Sequence, residues 1–210
     1  MKKIDGIIFD VDGTIWNSVP TCTKAWNHVI RENSVYPPNV TDEKLMQLFG
    51  KPMDEIFDAL FPGISDDEKA RLGRMCEKYE NELLETEPGT PYGDVAGTMK
   101  CLAQHVPLFI VSNCQSGYIE VCIKKLGLES YITDFTCFGD RPVSKGENIR
   151  LLMEKNSLEH PVYVGDTKGD EQACMEAGIP MVYAAYGFGR VEHPYAAIRK
   201  FEDLITFLLS

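Results

Sequence analysis

Short apolar runs alternate with stretches of helical spacing over most of the chain. Residues 4–9 are apolar apart from Asp5 and Gly6, and they lead directly into Asp10-Val11-Asp12-Gly13-Thr14. Residues 107–112, 134–138, 161–165 and 180–184 have the same character. Near-continuous apolar runs of this length predict strands buried on both faces, as in a parallel sheet. Between them, Val95, Met99 and Leu102 share one helical face, and Ile119, Ile123 and Leu126 share another, closed by Gly127. Ile149, Leu152 and Met153 mark a third helix, and Ala173 and Ala177 a fourth. Strand–helix alternation from about residue 94 onward predicts βαβ units and a doubly wound parallel sheet, with a last helix over about 201–209 covering it.

The segment 16–89 breaks this alternation and reads as helix throughout. Leu45, Leu48 and Phe49 form one apolar stripe, and Pro52 is placed to open a helix that buries Ile56, Phe57 and Leu60. Ser65-Asp66-Asp67-Glu68 has the spacing of a capping box before a long helix carrying Leu72, Met75, Tyr79 and Leu83. Pro88-Gly89-Thr90-Pro91-Tyr92-Gly93 then ends the helical pattern. The expected organisation is an α/β core from residues 1–15 and 90–210, with an all-helical domain, 16–89, inserted after the first strand.

The 210 residues carry a formal net charge of −11, which argues against a nonspecific nucleic-acid or membrane-surface binder. No apolar run approaches the roughly 20 residues of a membrane-spanning helix. After Met1-Lys2-Lys3 the apolar stretch is interrupted at Asp10, too early for a signal peptide, so the chain is expected to be cytoplasmic. Seven cysteines, an odd number without a Cys-x-x-Cys pair, read as reduced packed thiols. Cys114 is expected to be one of these, and the four scattered histidines suggest no His-based metal site. The sequence leaves monomer and dimer open.

Ligands of open α/β sheets bind beyond the carboxyl ends of the strands, and polar residues stand at several of those ends here. The first strand ends in Asp10 and Asp12, the run 107–112 in Ser112-Asn113, and the run 161–165 in Gly165-Asp166-Thr167-Lys168-Gly169-Asp170. Lys145 opens the helix between the latter two. Carboxylates gathered at one point repel unless a cation lies among them, and hard oxygen donors suit Mg²⁺. A lysine and a hydroxyl add a positive charge and hydrogen bonds for phosphoryl oxygens. Such a set supports phosphoryl transfer, in which an aspartate attacks phosphorus and a second carboxyl handles the leaving group's proton. Gly13 lets the chain turn so that Asp12 leaves the strand and reaches over Asp10.

Asp10-Val11-Asp12-Gly13-Thr14, Ser112, Lys145 and the Gly165-Asp166…Asp170 pair resemble, in order and spacing, the haloacid dehalogenase superfamily. The helical insertion resembles the cap of its phosphoglycolate phosphatase and beta-phosphoglucomutase branch. The resemblance implies that Asp10 is the nucleophile and that Asp12 protonates the leaving oxygen and then activates water. It implies that Ser112 hydrogen-bonds the phosphoryl group and that Lys145 neutralises charge on Asp10 and the phosphate. Mg²⁺ would be held by Asp10, Asp166 and the backbone carbonyl of Asp12, with Asp170 in support. Thr14 and Asn113 would join the substrate-binding residues. Asp12, absent from the dehalogenases and replaced by a small residue in the phosphonate-cleaving members, favours cleavage of a P–O bond. Asn17-Ser18 stands where relatives often read Asp-Ser. In the inserted domain, Lys51 in the Gly50-Lys51-Pro52 turn is a candidate contact for an anionic leaving group. Trp16, Trp26 and Phe49 are candidate pocket walls, and Gly187-Phe188-Gly189-Arg190 reads as a turn. The expected activity is a Mg²⁺-dependent phosphatase acting on a small phosphate monoester. A phosphomutase and a noncatalytic phosphate-binding protein are the alternatives.

Overall fold

The structure is a computed structural model that describes residues 3–209. In chain order it contains β1 (Ile7–Phe9), β2 (Trp16–Asn17), α1 (Val19–Asn33), α2 (Asp42–Met46), α3 (Met53–Leu60) and α4 (Asp66–Leu84). There follow β3 (Thr90–Pro91), α5 (Val95–Leu102), β4 (Leu108–Ser112), α6 (Tyr118–Leu126), β5 (Ile132–Cys137) and α7 (Lys145–Asn156). The chain closes with β6 (Val162–Gly165), α8 (Lys168–Ala177), β7 (Met181–Ala184), β8 (Ala196–Ile198) and α9 (Asp203–Leu209).

Six parallel strands form one sheet in the order β5-β4-β1-β6-β7-β8. β1 is central, with Ile7 in register with Leu108 on one side and Val162 on the other. The period of two along a strand divides its side chains between the faces. Ile7 and Phe9 join a core with Val95, Leu102 and Phe201, whereas Ile8 joins Ile149, Leu152 and Tyr163 on the opposite face. From β1 the chain builds outward through β4 and β5, then crosses back and builds the other way through β6, β7 and β8. The order reverses beside β1, so the carboxyl ends of β4, β1 and β6 lie next to one another at the switch point.

All five apolar runs of the sequence contain strands, four of them within two residues of their expected limits, while β1 begins three residues later than expected, at Ile7. β8 was not expected: Ala196-Ala197-Ile198 is a half-exposed edge strand, too short and too weakly apolar for a periodic signal. Helices fill most of 19–84, but the segment is not wholly helical. Trp16–Asn17 pairs antiparallel with Thr90–Pro91 where the chain leaves and re-enters the sheet region. Two-residue strands carry no readable alternation. The buried face of α4 is also rotated from the expected one. Leu72, Cys76, Glu80 and Leu84 are buried, whereas Met75, Tyr79 and Leu83 are half-buried. Ser65 caps α4 by accepting the Glu68 amide, and Leu48 and Phe49 lie beyond the end of α2.

The apolar core continues from the sheet into the helices of 19–84. Trp26 of α1 stacks on Phe57 of α3 with ring centroids 5.3 Å apart, and Phe57 in turn meets Phe61 at 5.7 Å. Phe57 is fully buried. No helix among the described residues is long and apolar enough to cross a membrane. Truncating Phe57 leaves a cavity that helices of this length cannot collapse around. Phe57→Ala is therefore expected to lower unfolding free energy by about 3–5 kcal/mol in a denaturant titration, and a loss under about 1 kcal/mol would contradict this packing.

Candidate active site

Asp10 leaves the end of β1 with its amide bonded to the Val164 carbonyl at 2.9 Å, which fixes it between β1 and β6. Opposite stands Lys145, the first residue of α7, after the N-cap Ser144. A cation at a helix N-terminus opposes the helix dipole, and this one is buried as well. It is held by two carboxylates, with Nζ 2.9 Å from Asp10 Oδ1 and 2.7 Å from Asp170 Oδ1. Burial works against the ammonium, but the two carboxylates outweigh it and raise its pKa. The two acids respond differently. Asp170 Oδ2 also accepts from the Asp166 and Thr167 amides and the Thr167 hydroxyl, at 3.2, 2.9 and 2.7 Å. Against the penalty of burial, Lys145 and these donors hold Asp170 below the usual carboxylate range. Asp10 has fewer donors, and burial chiefly, with the Asp170 charge, pushes it up to about 6.

Asp166 completes a group of three. Carboxylate oxygens of Asp10, Asp166 and Asp170 lie within 4.8 Å of one another, all on buried residues. Asp166 Oδ2 accepts the Phe188 amide at 2.6 Å, while Oδ1 is buried with no hydrogen-bond partner. Burial first, then the charges of Asp170 and Asp10, push Asp166 up to about 8. The backbone is pressed onto this carboxylate. A Cβ at Gly13, where φ is 77°, would lie 2.2 Å from Asp166 Oδ2, so only glycine fits. An orphaned oxygen, crowded acids and an all-oxygen donor set fit a hard divalent cation.

Asp12 stands apart from this cluster. Its Oδ1 accepts from Ser18 Oγ at 2.6 Å and from the Tyr118 hydroxyl at 2.8 Å. Burial pushes it up to about 7 despite those two donors, so it exchanges a proton near neutrality. Asp10, Asp12, Ser112, Asn113 and Lys51 border one cavity of about 640 Å³ that runs between the strand ends and α3 and α4. Lys145, Asp166 and Asp170 do not border it. Thr14 is not brought to that wall; it is fully buried with its hydroxyl unpartnered. Trp26 and Phe49 do border the cavity, but Trp16 does not, because it is buried edge-on against Tyr118. Cys114 is half-buried, and burial raises its thiol pKa, as expected of a packed cysteine.

The sequence model of the haloacid dehalogenase-like hydrolases matches residues 7–184. The chain belongs to this family. Among relatives of this hydrolase is a phosphoglycolate phosphatase of Rhodospirillum rubrum, 28% identical over 95% of this chain and 88% of that protein. Another is a pyrophosphatase of Bacillus pumilus, 24% identical over 99% and 97%. A haloacid dehalogenase-like hydrolase of Streptococcus pneumoniae has the same fold, with a TM-score of 0.85 at 19% identity and 99% of each chain covered.

Several residues of the hydrolase site had no sequence signal of their own. The 187–190 turn reaches the centre through the Phe188 N–H on Asp166, while Arg190 is exposed. A backbone donor leaves no trace in side-chain pattern, although the glycines on either side of Phe188 are a readable sign of close approach. Thr167 is the N-cap of α8, and it forms a reciprocal capping box with Asp170. Asn17 keeps an acceptor role, taking the Val19 amide at 3.1 Å. The loop after Ser112 also docks onto the inserted helices. Asn113 Nδ2 donates to Gly50 O at 2.7 Å, Gln115 Nε2 to Glu80 Oε1 at 2.8 Å, and Asn81 Nδ2 to Ser116 O at 3.0 Å.

Glu80 is buried, with Trp26 and Gln115 as donors and no ion pair among the described residues. Burial raises it from 4.5 to about 7. The native protein therefore keeps this proton through a window in which the unfolded chain loses it, and stability falls as pH rises from about 4.5 to about 7. Glu80→Gln removes that loss. Relative to the parent, the variant is expected to gain on the order of 2–3 kcal/mol between pH 4.5 and pH 7.5 in urea titrations. Parallel stability curves would show that Glu80 is not held protonated.

Proposed function

We propose that this hydrolase is a Mg²⁺-dependent phosphatase that cleaves a small phosphate monoester through an aspartyl-phosphate on Asp10. The observation that carries the reading is the meeting of Asp10, Asp166 and Asp170 around the unpartnered Oδ1 of Asp166, beside the buried Lys145, with Asp10 at the wall of a cavity. Asp10, Asp166 and the backbone carbonyl of Asp12 would hold the metal, with Asp170 supporting from behind. When bound, Mg²⁺ offsets carboxylate and phosphate charge, so that an anionic nucleophile can approach an anionic ester.

The chain's own groups divide the remaining work. Lys145 keeps Asp10 Oδ1 in place, and the other Asp10 oxygen attacks phosphorus. Ser112, at the end of β4, hydrogen-bonds a phosphoryl oxygen. Asp12 gives its proton to the departing ester oxygen and then takes one from the water that hydrolyses the aspartyl-phosphate. We assign residues 16–89 as a cap over a core of 1–15 and 90–210. Its side of the cavity, with Lys51, Phe49 and Trp26, faces the leaving group. The docking of Asn113 on Gly50 and of Gln115 on Glu80 supports a cap that seats on the loop carrying Ser112 and excludes water during transfer. The seven free cysteines support the cytosol as its compartment. The names of the relatives make phosphoglycolate, other small phosphate esters and diphosphate the first compounds to try.

Purified protein assayed against a phosphate-ester panel with Mg²⁺ and with EDTA is expected to release free phosphate only with the metal. Free phosphate from a hexose 1-phosphate supports the hydrolase, whereas hexose 6-phosphate would make it a mutase. Asp10→Asn is expected to lower turnover of p-nitrophenyl phosphate at least about 10³-fold with the melting temperature retained. Full Mg²⁺-dependent activity in that variant would remove Asp10 as nucleophile.

A further inference from the structure

We infer that Tyr118 is a positioning residue for the proton-transfer step: with Ser18 it holds one oxygen of Asp12 in place and leaves the other to carry the proton to and from the cavity. The inference rests on the reading of Asp12 as the acid that serves the leaving group. Three polar groups from distant parts of the chain form a closed triangle. Ser18 Oγ and the Tyr118 hydroxyl lie 2.6 and 2.8 Å from the same atom, Asp12 Oδ1, and 2.7 Å from each other. Asp12 Oδ2 has no hydrogen-bond partner among the described residues and is not shut away from solvent, and Asp12 borders the cavity. The two hydroxyl protons serve three short contacts, one of them from the Tyr118 hydroxyl to Ser18 Oγ, so the hydroxyls hold Asp12 Oδ1 as a linked pair and leave Oδ2 as the oxygen with access to the cavity. Delivery from Oδ2 to the leaving oxygen forms an O–H bond at that oxygen as the P–O bond breaks, and Asp12 is left ionised with Oδ1 still held by the hydroxyl pair.

Two further features set these hydroxyls apart from ordinary satisfied core groups. Ser18 occupies the N-cap of α1, yet its side chain makes no cap bond, and Asn17 takes the Val19 amide in its place. Its Oγ also accepts from the Cys22 thiol at 3.5 Å, so its own proton is free for Asp12. Tyr118 begins α6 directly after Gly117, whose φ of 85° turns the chain inward. Its ring is fully buried, edge-on to Trp16 at 5.8 Å, so the phenol is aimed by packing and does not sample rotamers at the time of reaction. Tyr118 is thus a fixed donor from the core, and Ser18 is a donor at the root of the inserted helices.

The test compares kcat/KM for p-nitrophenyl phosphate and phenyl phosphate, two esters of similar shape whose leaving groups differ in their need for a proton. kcat/KM reports events up to departure of the leaving group, so the later hydrolysis step does not enter. Tyr118→Phe removes one oxygen and keeps the ring. It is expected to lower the phenyl-to-nitrophenyl ratio about tenfold relative to the parent, and Asp12→Asn is expected to lower it further. If Tyr118→Phe lowers both substrates equally while Asp12→Asn lowers the ratio, Tyr118 only packs and the inference fails. If Asp12→Asn also leaves the ratio unchanged, the assignment of Asp12 as acid fails, and the inference with it. Ser18→Ala removes the second donor and serves if Tyr118→Phe does not fold. A selective loss with phenyl phosphate sustains the triangle, and an equal loss with both esters overturns it.

Discussion

One buried ammonium makes the arrangement of this centre possible. Lys145 joins Asp10 at the end of β1 to Asp170 on α8, and it does so from the first turn of α7, where the helix dipole repels it. Each partner alone would be an uncompensated buried charge, costing several kcal/mol. Together they tie three βα connections to one point. The balance is still acidic: one cation stands against three carboxylates, and Asp166, furthest from Lys145's direct reach, takes the largest upward shift of the three. A second cation would balance the charge that remains.

The sheet supplies the geometry and the glycines supply the closeness. The strand order reverses beside β1, so β4, β1 and β6 deliver Ser112, Asp10 and Asp166 to adjacent strand ends without any long loop. Gly13 and Gly187 let backbone approach the Asp166 carboxylate to distances that no Cβ would allow. The inserted helices then close the opposite side. Their contacts with the 113–116 loop are side-chain amides on carbonyls and a buried carboxylate, polar bonds that can be exchanged for water more readily than an apolar seam.

The central strands were legible because burial on both faces writes itself as a continuous apolar run, as at 107–112 and 161–165. The clustered carboxylates were legible because the motif puts them at the ends of such runs. Other parts were hidden for physical reasons. β8 is an edge strand of small residues. The buried face of α4 contains Gly73 and Glu80, so its apolar pattern points one position astray. Tyr118 at the start of an amphipathic helix looks like one more core aromatic until its hydroxyl is seen on Asp12. Thr14, placed by its motif among the expected substrate-binding residues, is fully buried away from the cavity wall.

The account turns on whether the carboxylate cluster is completed by a divalent ion, and Mg²⁺ binding to the metal-free protein measures this directly. Isothermal titration calorimetry is predicted to give one Mg²⁺ per chain, accompanied by a rise in melting temperature as the ion binds the folded state alone, and both signals are predicted to vanish in Asp166→Asn. Absence of heat and of any thermal shift at millimolar Mg²⁺, or equal binding by Asp166→Asn, would contradict it.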